Sequence, residues 1–369
     1  MLDLAVVGGG PVGLVAALAA RRRGLAVAVV EPRPAPIDKA CGEGLMPTGL
    51  AALRRLGVDP EGLPIRGIRY RDDRGHEARA VLPTPGRGVR RTTLHAALTA
   101  AAAQAGIPVH PWAAAPAVQV ADRVILRPGR GSTRAPCPPG CEADTAAGGG
   151  PDGDELHARY VIAADGLHSP QRRALGLDVP SPAWARRGLR SHYRLAPWGE
   201  DVEVHWGDPG EAYVTPVAPG LVGVAVLTAR VGSFEQHLTG FPALADRLAV
   251  AEPDDRVLGA GPFARRSRAR VAGRVLLVGD AAGYVDALTG EGLALGFAQA
   301  EAAVAAVAAD RPSRYERAWW QVSLPANLPT AALVAVTRVP GLRRHVVTAA
   351  TRAPRVFTSA VAHVSAAGA

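Results

Sequence analysis

The sequence is short of several residue types, and each shortage excludes a class of protein. Only three of its 369 residues are cysteines, an odd number that argues against a disulfide scaffold and fits a reducing compartment. Aromatic residues make up 5%, too few for obvious base-stacking surfaces. No uninterrupted apolar run reaches the roughly 18 residues of a membrane span, and glycines and a proline break the apolar N-terminus. We therefore expect a cytoplasmic protein without an integral membrane span.

Lysine is nearly absent as well, because Lys39 is the only one among the 42 basic residues. The formal charge of +9 would ordinarily suggest nucleic acid or an anionic membrane as a partner. The arginines are scattered along the chain, however, and no run matches a nucleic-acid-binding signature, so we predict no nucleic-acid partner. After Trp320, four prolines are expected to break the chain into short basic helices. A packed helical cover is the favoured interpretation, with peripheral membrane contact as the alternative.

Two kinds of strand pattern alternate along the chain. Apolar runs at 4–7, 25–30, 160–164 and 274–278 are continuous, as expected of parallel strands that are buried on both faces. The first two flank a helical pattern and form a strand–helix–strand unit with a right-handed crossover. Between these runs, period-two alternation around 65–82 and 189–227 predicts a mostly antiparallel sheet.

The long separation between the continuous runs predicts a discontinuous first domain. With 48% hydrophobic residues, the chain is long enough for two domains. The expected fold class is α/β, with a discontinuous Rossmann-like nucleotide-binding domain, a mostly antiparallel substrate domain and a C-terminal helical segment. The boundaries are 1–64, 87–180 and 270–320 for the first domain, 65–86 and 181–269 for the second, and 321–369 for the helical segment.

Residues 127–154 are predicted as a flexible insertion, because glycine, proline, alanine and aspartate dominate them. Cys137 and Cys141 in this stretch could form a metal clip with His157. A structural zinc site needs four ligands, and no fourth one is suggested. We therefore predict no metal site.

A glycine motif follows the first predicted strand and opens the first predicted helix. Residues 8–13 read Gly-Gly-Gly-Pro-Val-Gly and fit G-x-G-x-x-G. In this motif Gly8 permits a tight turn, Gly10 admits a pyrophosphate and Gly13 brings the helix close to the strand. Glu31 ends the next strand and would accept both hydroxyl protons of an adenosine ribose. A 2′-phosphate would be repelled there, so the motif predicts FAD or NAD rather than NADP.

A second motif near the C-terminal end distinguishes between these two dinucleotides. Gly279 and Asp280 end a buried strand, and Thr-Gly-Glu-Gly follows at 289–292 before a long alanine-rich helix. An aspartate in that position can bind the ribityl chain, which FAD has and NAD lacks. The N-terminus of the helix near Gly292 would stabilise negative charge on the pyrimidine edge of a reduced flavin.

Together these motifs resemble the superfamily of FAD-dependent monooxygenases and geranylgeranyl reductases, which includes p-hydroxybenzoate hydroxylase. Two further stretches carry the resemblance: Ala164-Asp165-Gly166 with its continuation to Arg172, and Arg91-Thr-Thr-Leu94, whose arginine lies beside FAD in that superfamily. The resemblance implies FAD as cofactor and NAD(P)H as electron donor without a nicotinamide-binding domain of its own. The predicted cofactor-binding residues are Gly8, Gly10, Pro11, Val12, Gly13, Glu31, Arg91, Asp165, Gly279, Asp280, Gly290, Gly292 and Leu293.

Candidate catalytic residues lie in two places. The stretch Asp38–Leu45 resembles the Cys-Gly-Gly-Gly segment of geranylgeranyl reductases, which lies near the isoalloxazine. It contains Cys41 and the single lysine, Lys39, whose compact ammonium a planar guanidinium does not reproduce. Tyr213 lies on the predicted substrate sheet. Exposed-loop or packing roles remain open for all three, and no residue stands out as an acid or base.

The resemblance leaves two reactions open. Reductases of the superfamily carry Tyr-x-Trp-x-Phe-Pro, whereas this chain reads Tyr213-Val-Thr-Pro216, which favours monooxygenation. Another departure is Asp286-Ala287-Leu288, where many relatives have a proline beside the flavin ring. We predict a monooxygenase that uses NAD(P)H and molecular oxygen to hydroxylate a lipophilic aromatic or polyketide-type secondary metabolite through a flavin C4a-hydroperoxide. The alternatives are reduction of an isoprenoid or other alkene and a non-catalytic flavin binder.

Overall fold

The structure, a computed structural model, describes residues 1–129 and 155–366. The described chain forms twenty strands, most of them in two large sheets. In chain order the strands are β1 (Leu2–Val7), β2 (Val27–Val30), β3 (Gly44–Leu45), β4 (Leu63–Asp72), β5 (Glu77–Gly88), β6 (Val109–His110), β7 (Val118–Gln119), β8 (Val124–Leu126), β9 (Leu156–Ala163), β10 (Asp178–Val179), β11 (Arg187–Arg194), β12 (Asp201–Gly207), β13 (Gly210–Ala218), β14 (Leu221–Thr228), β15 (Glu252–Pro253), β16 (Leu258–Ala260), β17 (Arg265–Ser267), β18 (Val271–Ala272), β19 (Val275–Leu277) and β20 (Gly283–Tyr284).

Helices cover the first sheet and form the C-terminal part of the chain. They are α1 (Pro11–Arg22), α2 (Pro47–Arg55), α3 (Arg91–Gln104), α4 (Pro170–Ala174), α5 (Phe234–Leu238), α6 (Pro242–Leu248), α7 (Gly292–Ala308), α8 (Arg314–Thr337), α9 (Pro340–Arg343), α10 (Val346–Arg352) and α11 (Pro354–Ala366). A 3₁₀ turn spans Gly279–Ala281.

The first sheet has a parallel centre in the order β19-β9-β1-β2-β6. All four predicted apolar runs contribute strands to this centre, and residues 4–7, 27–30, 160–163 and 275–277 of these strands are almost fully buried. The short strand β18 and the β7–β8 hairpin add antiparallel pairs. Because β1, β9 and β19 are neighbours, residues from the beginning, middle and end of the chain meet at the carboxyl edge of one sheet, where ligands bind in open α/β sheets.

The second sheet runs β15-β11-β14-β13-β12-β4-β5-β3, with β16 paired to β11. Its pairings are antiparallel except for β12–β4, which is parallel, so the prediction of a mostly antiparallel sheet is confirmed. A small third sheet, β10-β17-β20, lies between the two. β4 and β5 together span residues 63–88, slightly more than the predicted segment 65–86, and the division into domains stays a prediction.

The prediction that prolines break the chain after Trp320 into short helices is wrong for Pro325 and Pro329. Both lie inside the continuous helix α8. Proline removes one helical hydrogen bond and disfavours the helix by about 3 kcal/mol. Tertiary contacts offset this cost, because Gln299 on α7 donates a hydrogen bond of 3.0 Å to Ser323 on α8. The other two prolines, at 340 and 354, each begin a helix, where a missing N–H leaves no partner unsatisfied.

No single helix in the described part of the chain combines the length and apolar composition that a membrane span requires. Residues 314–337 and 341–352 pass that test only as a pair, and the pair is bent by 109°.

Candidate functional site

A single large cavity of about 840 Å³ lies between the two sheets and the C-terminal helices. One end is polar and is lined by the glycine loop after β1 and by charged side chains of the first sheet's carboxyl edge. The other end is apolar and is lined by β4, β12 and β13 together with α10 and α11. We name these ends the nucleotide end and the apolar end. The arrangement offers space for a polar cofactor and a lipophilic substrate in one continuous volume.

The glycine loop is shaped by backbone contacts that a side chain would block. Gly8 has a φ of 106°, and a Cβ built on it would lie 2.5 Å from the carbonyl oxygen of Ala164. A Cβ on Gly13 would lie 1.9 Å from the carbonyl oxygen of Gly8. At Gly10 the nearest atom to such a Cβ is 3.9 Å away, on Arg91, so this backbone faces open space in the cavity. Gly8 and Gly13 thus position the loop, and Gly10 faces the cavity.

Glu31 lies behind the loop and is almost fully buried. Its Oε2 accepts a hydrogen bond of 2.9 Å from the backbone N–H of Gly9, and both carboxylate oxygens bind the guanidinium of Arg33. Burial alone would raise the pKa of Glu31, but these hydrogen bonds hold it below the ordinary value. Arg33 lines the cavity and Glu31 does not. Sequence reasoning missed Arg33. The available signal was its position two residues after Glu31.

Arg172 joins the two later motifs. Its fully buried guanidinium donates to the carbonyl oxygens of Leu167 and Ala281, at 2.9 Å each, and forms an ion pair of 2.6 Å with Asp178. This arginine therefore fixes the segment around Asp165 against the turn that carries Asp280. Both aspartates line the nucleotide end of the cavity.

Lys39 reaches the same place from the opposite side of the cavity. Its Nζ lies 3.3 Å from Oδ2 of Asp280, and both side chains are about one-third exposed. It also approaches Gly166, because a Cβ on that glycine would lie 3.8 Å from Nζ. The lone lysine of the sequence is therefore placed at the late aspartate, and its catalytic role stays a prediction.

The nucleotide end has the free donors and acceptors that a dinucleotide requires. Nε of Arg91 and Oδ1 of Asp165 are buried without a hydrogen-bond partner in the described chain. Burial raises the pKa of Asp165 above its ordinary value. Buried polar atoms of this kind are usually satisfied, often by a ligand or water. Together with the open backbone at Gly10, they fit FAD.

The other two candidate catalytic residues also line the cavity. Cys41 is partly buried, and its Sγ lies 3.4 Å from the backbone N–H of Glu43, which donates to it. The hydroxyl of Tyr213 donates a hydrogen bond of 2.8 Å to the carbonyl oxygen of Leu288. Burial raises the pKa of Tyr213 well above its ordinary value, so the phenol stays protonated at neutral pH.

A chain of buried polar groups leads from the cavity wall towards solvent. Glu43, which lines the cavity, binds His192 Nε2 at 2.6 Å, and Nδ1 of the same imidazole lies 2.8 Å from Asp255. His192 has no exposed surface, whereas Asp255 is 17% exposed. Burial alone would lower the pKa of His192, but the two carboxylates raise it above the ordinary histidine value. We call Glu43, His192 and Asp255 the carboxylate–histidine chain.

The sequence pattern did not single out this chain. His192 lies on the predicted substrate sheet without a motif around it, and Glu43 lies in the stretch that contains Lys39 and Cys41. Glu43 has a φ of 60°, an uncommon conformation for a residue with a side chain. Its other oxygen accepts a hydrogen bond of 2.8 Å from the backbone N–H of Arg91.

A second buried cluster of charged side chains surrounds Asp286. Arg186 donates to Asp286 through Nε at 3.0 Å and through Nη2 at 2.5 Å, and it also binds the fully buried Glu211. The aspartate at this position is thus the partner of an arginine on the substrate-sheet side.

Glu291, in the Thr-Gly-Glu-Gly stretch, faces away from the main cavity into a small recess beside Gln299 and Thr330. Both of its carboxylate oxygens lack a hydrogen-bond partner within the described residues. Burial raises its pKa to about 8. The group is therefore a neutral acid in the folded protein near pH 7.

The apolar end is built from side chains rather than backbone. Tyr70 and Phe357 line it and contact each other as tilted rings, with 4.7 Å between their centroids, and Tyr70 also contacts Trp206 at 5.2 Å. Aliphatic residues complete the lining: Ile68, Val202, Val204, Leu288, Leu333, Val346, Ala350 and Val361. No carboxylate or basic side chain belongs to this set.

Most of the sequence-predicted residues therefore surround one cavity. Those that line it are Gly10, Pro11, Val12, Lys39, Cys41, Arg91, Asp165, Tyr213, Gly279, Asp280, Gly290, Gly292 and Leu293. Gly8, Gly13 and Glu31 lie behind the loop. Within residues 1–129 and 155–366, no group of three or more His, Cys, Asp or Glu side chains could hold a metal ion. Cys137 and Cys141 lie outside the described residues.

Comparison with known proteins shows that two segments of the chain match one family model. The model described as "FAD binding domain" matches residues 1–104 and 141–198. Digeranylgeranylglycerophospholipid reductase 2 of Methanopyrus kandleri is 30% identical over 319 residues, 79% of this chain and 73% of that protein. The 3-amino-4-hydroxybenzoate 2-monooxygenase of Streptomyces cremeus is 30% identical over 309 residues, 76% of this chain and 72% of that protein.

The fold is also known from solved structures. A flavoprotein/dehydrogenase from Cytophaga hutchinsonii superposes with a TM-score of 0.78 at 18% identity, and the match covers 98% of this chain and 92% of that one. At this identity the similarity concerns the fold alone.

Proposed function

Because the chain belongs to the superfamily of FAD-dependent monooxygenases and geranylgeranyl reductases and is an FAD-dependent oxidoreductase, we propose that it hydroxylates an aromatic ring that carries a long apolar substituent. The observation that carries this proposal is the position of Glu43. Its carboxylate lies in the wall of the cavity and connects through His192 to the surface. Hydroxylation of a phenol requires removal of one proton from the substrate, which a positioned base accelerates.

The proposed overall reaction uses NAD(P)H and molecular oxygen. One oxygen atom enters the ring, the other leaves as water, and NAD(P)H is oxidised to NAD(P)⁺. Bound FAD supplies the electron transfer and the oxygen activation. The residues proposed to hold it line the nucleotide end: Gly10, Pro11, Val12, Arg91, Asp165, Gly279 and Asp280, with Gly290, Gly292 and Leu293 at the start of α7. Gly8 and Gly13 shape the loop, and Glu31 behind the loop holds Arg33 towards the adenosine ribose.

In this proposal the side chains of the site have different roles. Glu43 accepts the phenol proton, and His192 and Asp255 connect it to solvent. His192 connects the two carboxylates, because its Nε2 lies 2.6 Å from Glu43 and its Nδ1 lies 2.8 Å from Asp255. Tyr213 and the aliphatic lining orient the ring and exclude water. A dry site limits side reactions before the oxygen atom reaches the ring. We retain Lys39 and Cys41 as candidate catalytic residues because both line the cavity near Asp280 and Glu43.

Reduction of an alkene in an isoprenoid substrate is the second candidate. It is favoured by the similarity to the digeranylgeranylglycerophospholipid reductase and by the aliphatic lining of the apolar end. A reductase would use the same electron donor and would need no oxygen. The two reactions therefore differ in what they add to the product.

The deciding experiment supplies NADH or NADPH, a long-chain alkylphenol or an isoprenoid quinone, and ¹⁸O₂ to the FAD-loaded protein. Hydroxylation adds one ¹⁸O atom to the product and stops without oxygen. Addition of two hydrogens across a carbon–carbon double bond of the isoprenoid tail that continues under argon would overturn the proposal and support the reductase.

The role of Glu43 is tested by Glu43→Gln, which keeps the shape and removes the basic oxygen. We expect kcat to fall about a hundredfold, the effect of losing a general base, and FAD to remain bound. Glu203→Gln is the matched control, because Glu203 is also buried beside a histidine, His205 at 3.2 Å, on the same sheet but not in the cavity wall. An unchanged kcat and pH profile in Glu43→Gln would show that another group takes the proton.

A further inference from the structure

The outer face of α8 is apolar, although it is exposed to solvent. Trp320, Leu324 and Leu328 follow each other at intervals of four residues and are 49%, 50% and 64% exposed. At 3.6 residues per turn this spacing places the three side chains in one stripe along the helix. The opposite face packs into the protein through Ser323 and Thr330.

The same part of the chain contributes further exposed apolar residues. Val339, Leu342 and Val356 are 47%, 52% and 69% exposed. Among the described residues, every exposed leucine and the one exposed tryptophan lie between 320 and 342. Elsewhere the large exposed apolar residues are valines and Met1, which is normal for a protein surface. Exposed large apolar residues concentrated in one part of the chain in this way indicate an interaction site.

The charge of this region has one sign only. No aspartate or glutamate follows Glu316 in the sequence. Six arginines do: Arg317, Arg338, Arg343, Arg344, Arg352 and Arg355. Arg343 contacts Asp208 and Arg338 stacks on Trp184, but the other four are exposed and have no carboxylate partner within the described residues. An anionic surface would therefore complement this face.

The apolar end of the cavity opens beside this face. Ala349, Ala353, Val356 and Ala360 line the cavity and are exposed to solvent. They lie on α10 and α11, around the junction that carries Arg352 and Arg355. The mouth is thus rimmed by small apolar side chains and bordered by two unpaired positive charges.

We propose that the outer face of α8 and the α10–α11 mouth dock on the surface of an anionic phospholipid bilayer. This inference rests on the proposed function, because docking would let a substrate with a long apolar tail pass from the bilayer into the cavity. The apolar stripe lies among the acyl chains near the headgroups, and the arginines bind lipid phosphates. The geometry is that of a peripheral protein, because the α8 helix packs on α7 along its inner face.

A second copy of the chain is a poorer partner for this face. A two-fold dimer brings the same patch of both subunits together, so unpaired arginines would face unpaired arginines. Like charges in such a contact oppose association. Each arginine near an anionic bilayer instead strengthens binding by about fivefold at moderate salt.

The test is sedimentation of the FAD-loaded protein with lipid vesicles. We expect binding to vesicles of equal parts phosphatidylglycerol and phosphatidylcholine, and at least tenfold weaker binding to phosphatidylcholine alone or in high salt. The double variant Leu324→Gln with Leu328→Gln should weaken binding about tenfold, and Arg352→Gln with Arg355→Gln should weaken it about twenty-fivefold. Matched controls are Val231→Gln with Val250→Gln and Arg266→Gln with Arg268→Gln. They replace exposed apolar residues and exposed arginines on other parts of the surface.

Three outcomes would overturn the proposal. The first is a protein that does not sediment with the anionic vesicles, and the second is an equal loss of binding in the control variants. The third is a concentration-dependent dimer that the Leu324 and Leu328 changes dissociate, which would assign the face to a second copy. Vesicle binding is measured without turnover, so a docking protein that fails to hydroxylate any ring would refute the proposed function alone.

Discussion

The two ends of the cavity are built by different means. At the nucleotide end, backbone atoms approach each other so closely that glycine is required, and charged side chains are fixed by several hydrogen bonds each. At the apolar end, mostly aliphatic and aromatic side chains from the strands β4, β12 and β13 meet those of the helices α10 and α11. The first end therefore has a shape that tolerates almost no change. The second has a volume that changes with each side chain.

The largest effect is expected from adding one methyl group at the nucleotide end. In Gly13→Ala the new Cβ would meet the carbonyl oxygen of Gly8 at 1.9 Å, and backbone cannot move aside as a side chain can. We expect complete loss of FAD binding and a decrease of about 3 kcal/mol in the free energy of unfolding. Absorbance of bound flavin and urea denaturation measure the two.

Gly199→Ala is the control for this change, because a Cβ at that glycine meets no atom within 4 Å. It should keep both the flavin and the stability. A Gly13→Ala protein that purifies yellow with normal stability would contradict the contrast between the two ends.

A pH effect of comparable size is expected from Glu291. Its pKa is about 8 in the folded protein and 4.5 when solvated, so the unfolded chain releases this proton over a pH range in which the folded chain retains it. Stability should therefore fall as pH rises from about 4.5 to about 8, by up to about 4 kcal/mol in total. Glu291→Gln has no proton to lose and should remove this part of the pH dependence.

Denaturation of the FAD-loaded protein at several pH values measures the difference. Glu301→Gln, on the same helix but partly exposed and paired with Arg55 at 3.4 Å, should keep the wild-type slope. Parallel stability curves for Glu291→Gln and the wild type would mean that the carboxyl is solvated or paired in the folded protein.

The smallest effect is expected at the apolar end. Phe357→Ala removes the ring that contacts Tyr70 and enlarges the cavity. We expect a loss of about 2 kcal/mol in stability, about a tenfold higher KM for a substrate with a long tail, and unchanged FAD binding. Phe234→Ala, in a separate core of the second sheet, should lose at least as much stability without a change in KM. Equal KM values for both variants would show that the tail does not occupy this end.

Predictions that depend on short stretches of sequence agree with the structure. The continuous apolar runs are the parallel strands, and the alternating runs are the antiparallel ones. Among the site residues, Gly10, Asp165 and Asp280 meet at one cavity because each follows a strand of the same sheet. The carboxyl ends of parallel strands share one edge, so order along the chain was sufficient to bring them together.

The carboxylate–histidine chain could not be predicted from short stretches of sequence. Glu43 and His192 are 149 residues apart, and His192 and Asp255 are 63 apart. Each side chain has many ordinary roles, and only the packing of β11 against the Glu43 loop and the Asp255 segment makes the three into a connected path. The continuity of α8 was missed for a related reason, since proline lowers helix propensity locally and the compensating contacts come from α7.

The sequence by itself determined the parallel nucleotide-binding sheet and the FAD motifs, because both depend on periodicity and on glycine backbone freedom over a few consecutive residues. Only the tertiary structure decided how far the cavity extends, which polar groups line it and where it opens. Those properties arise when residues from distant parts of the chain pack together, and that packing has no local pattern.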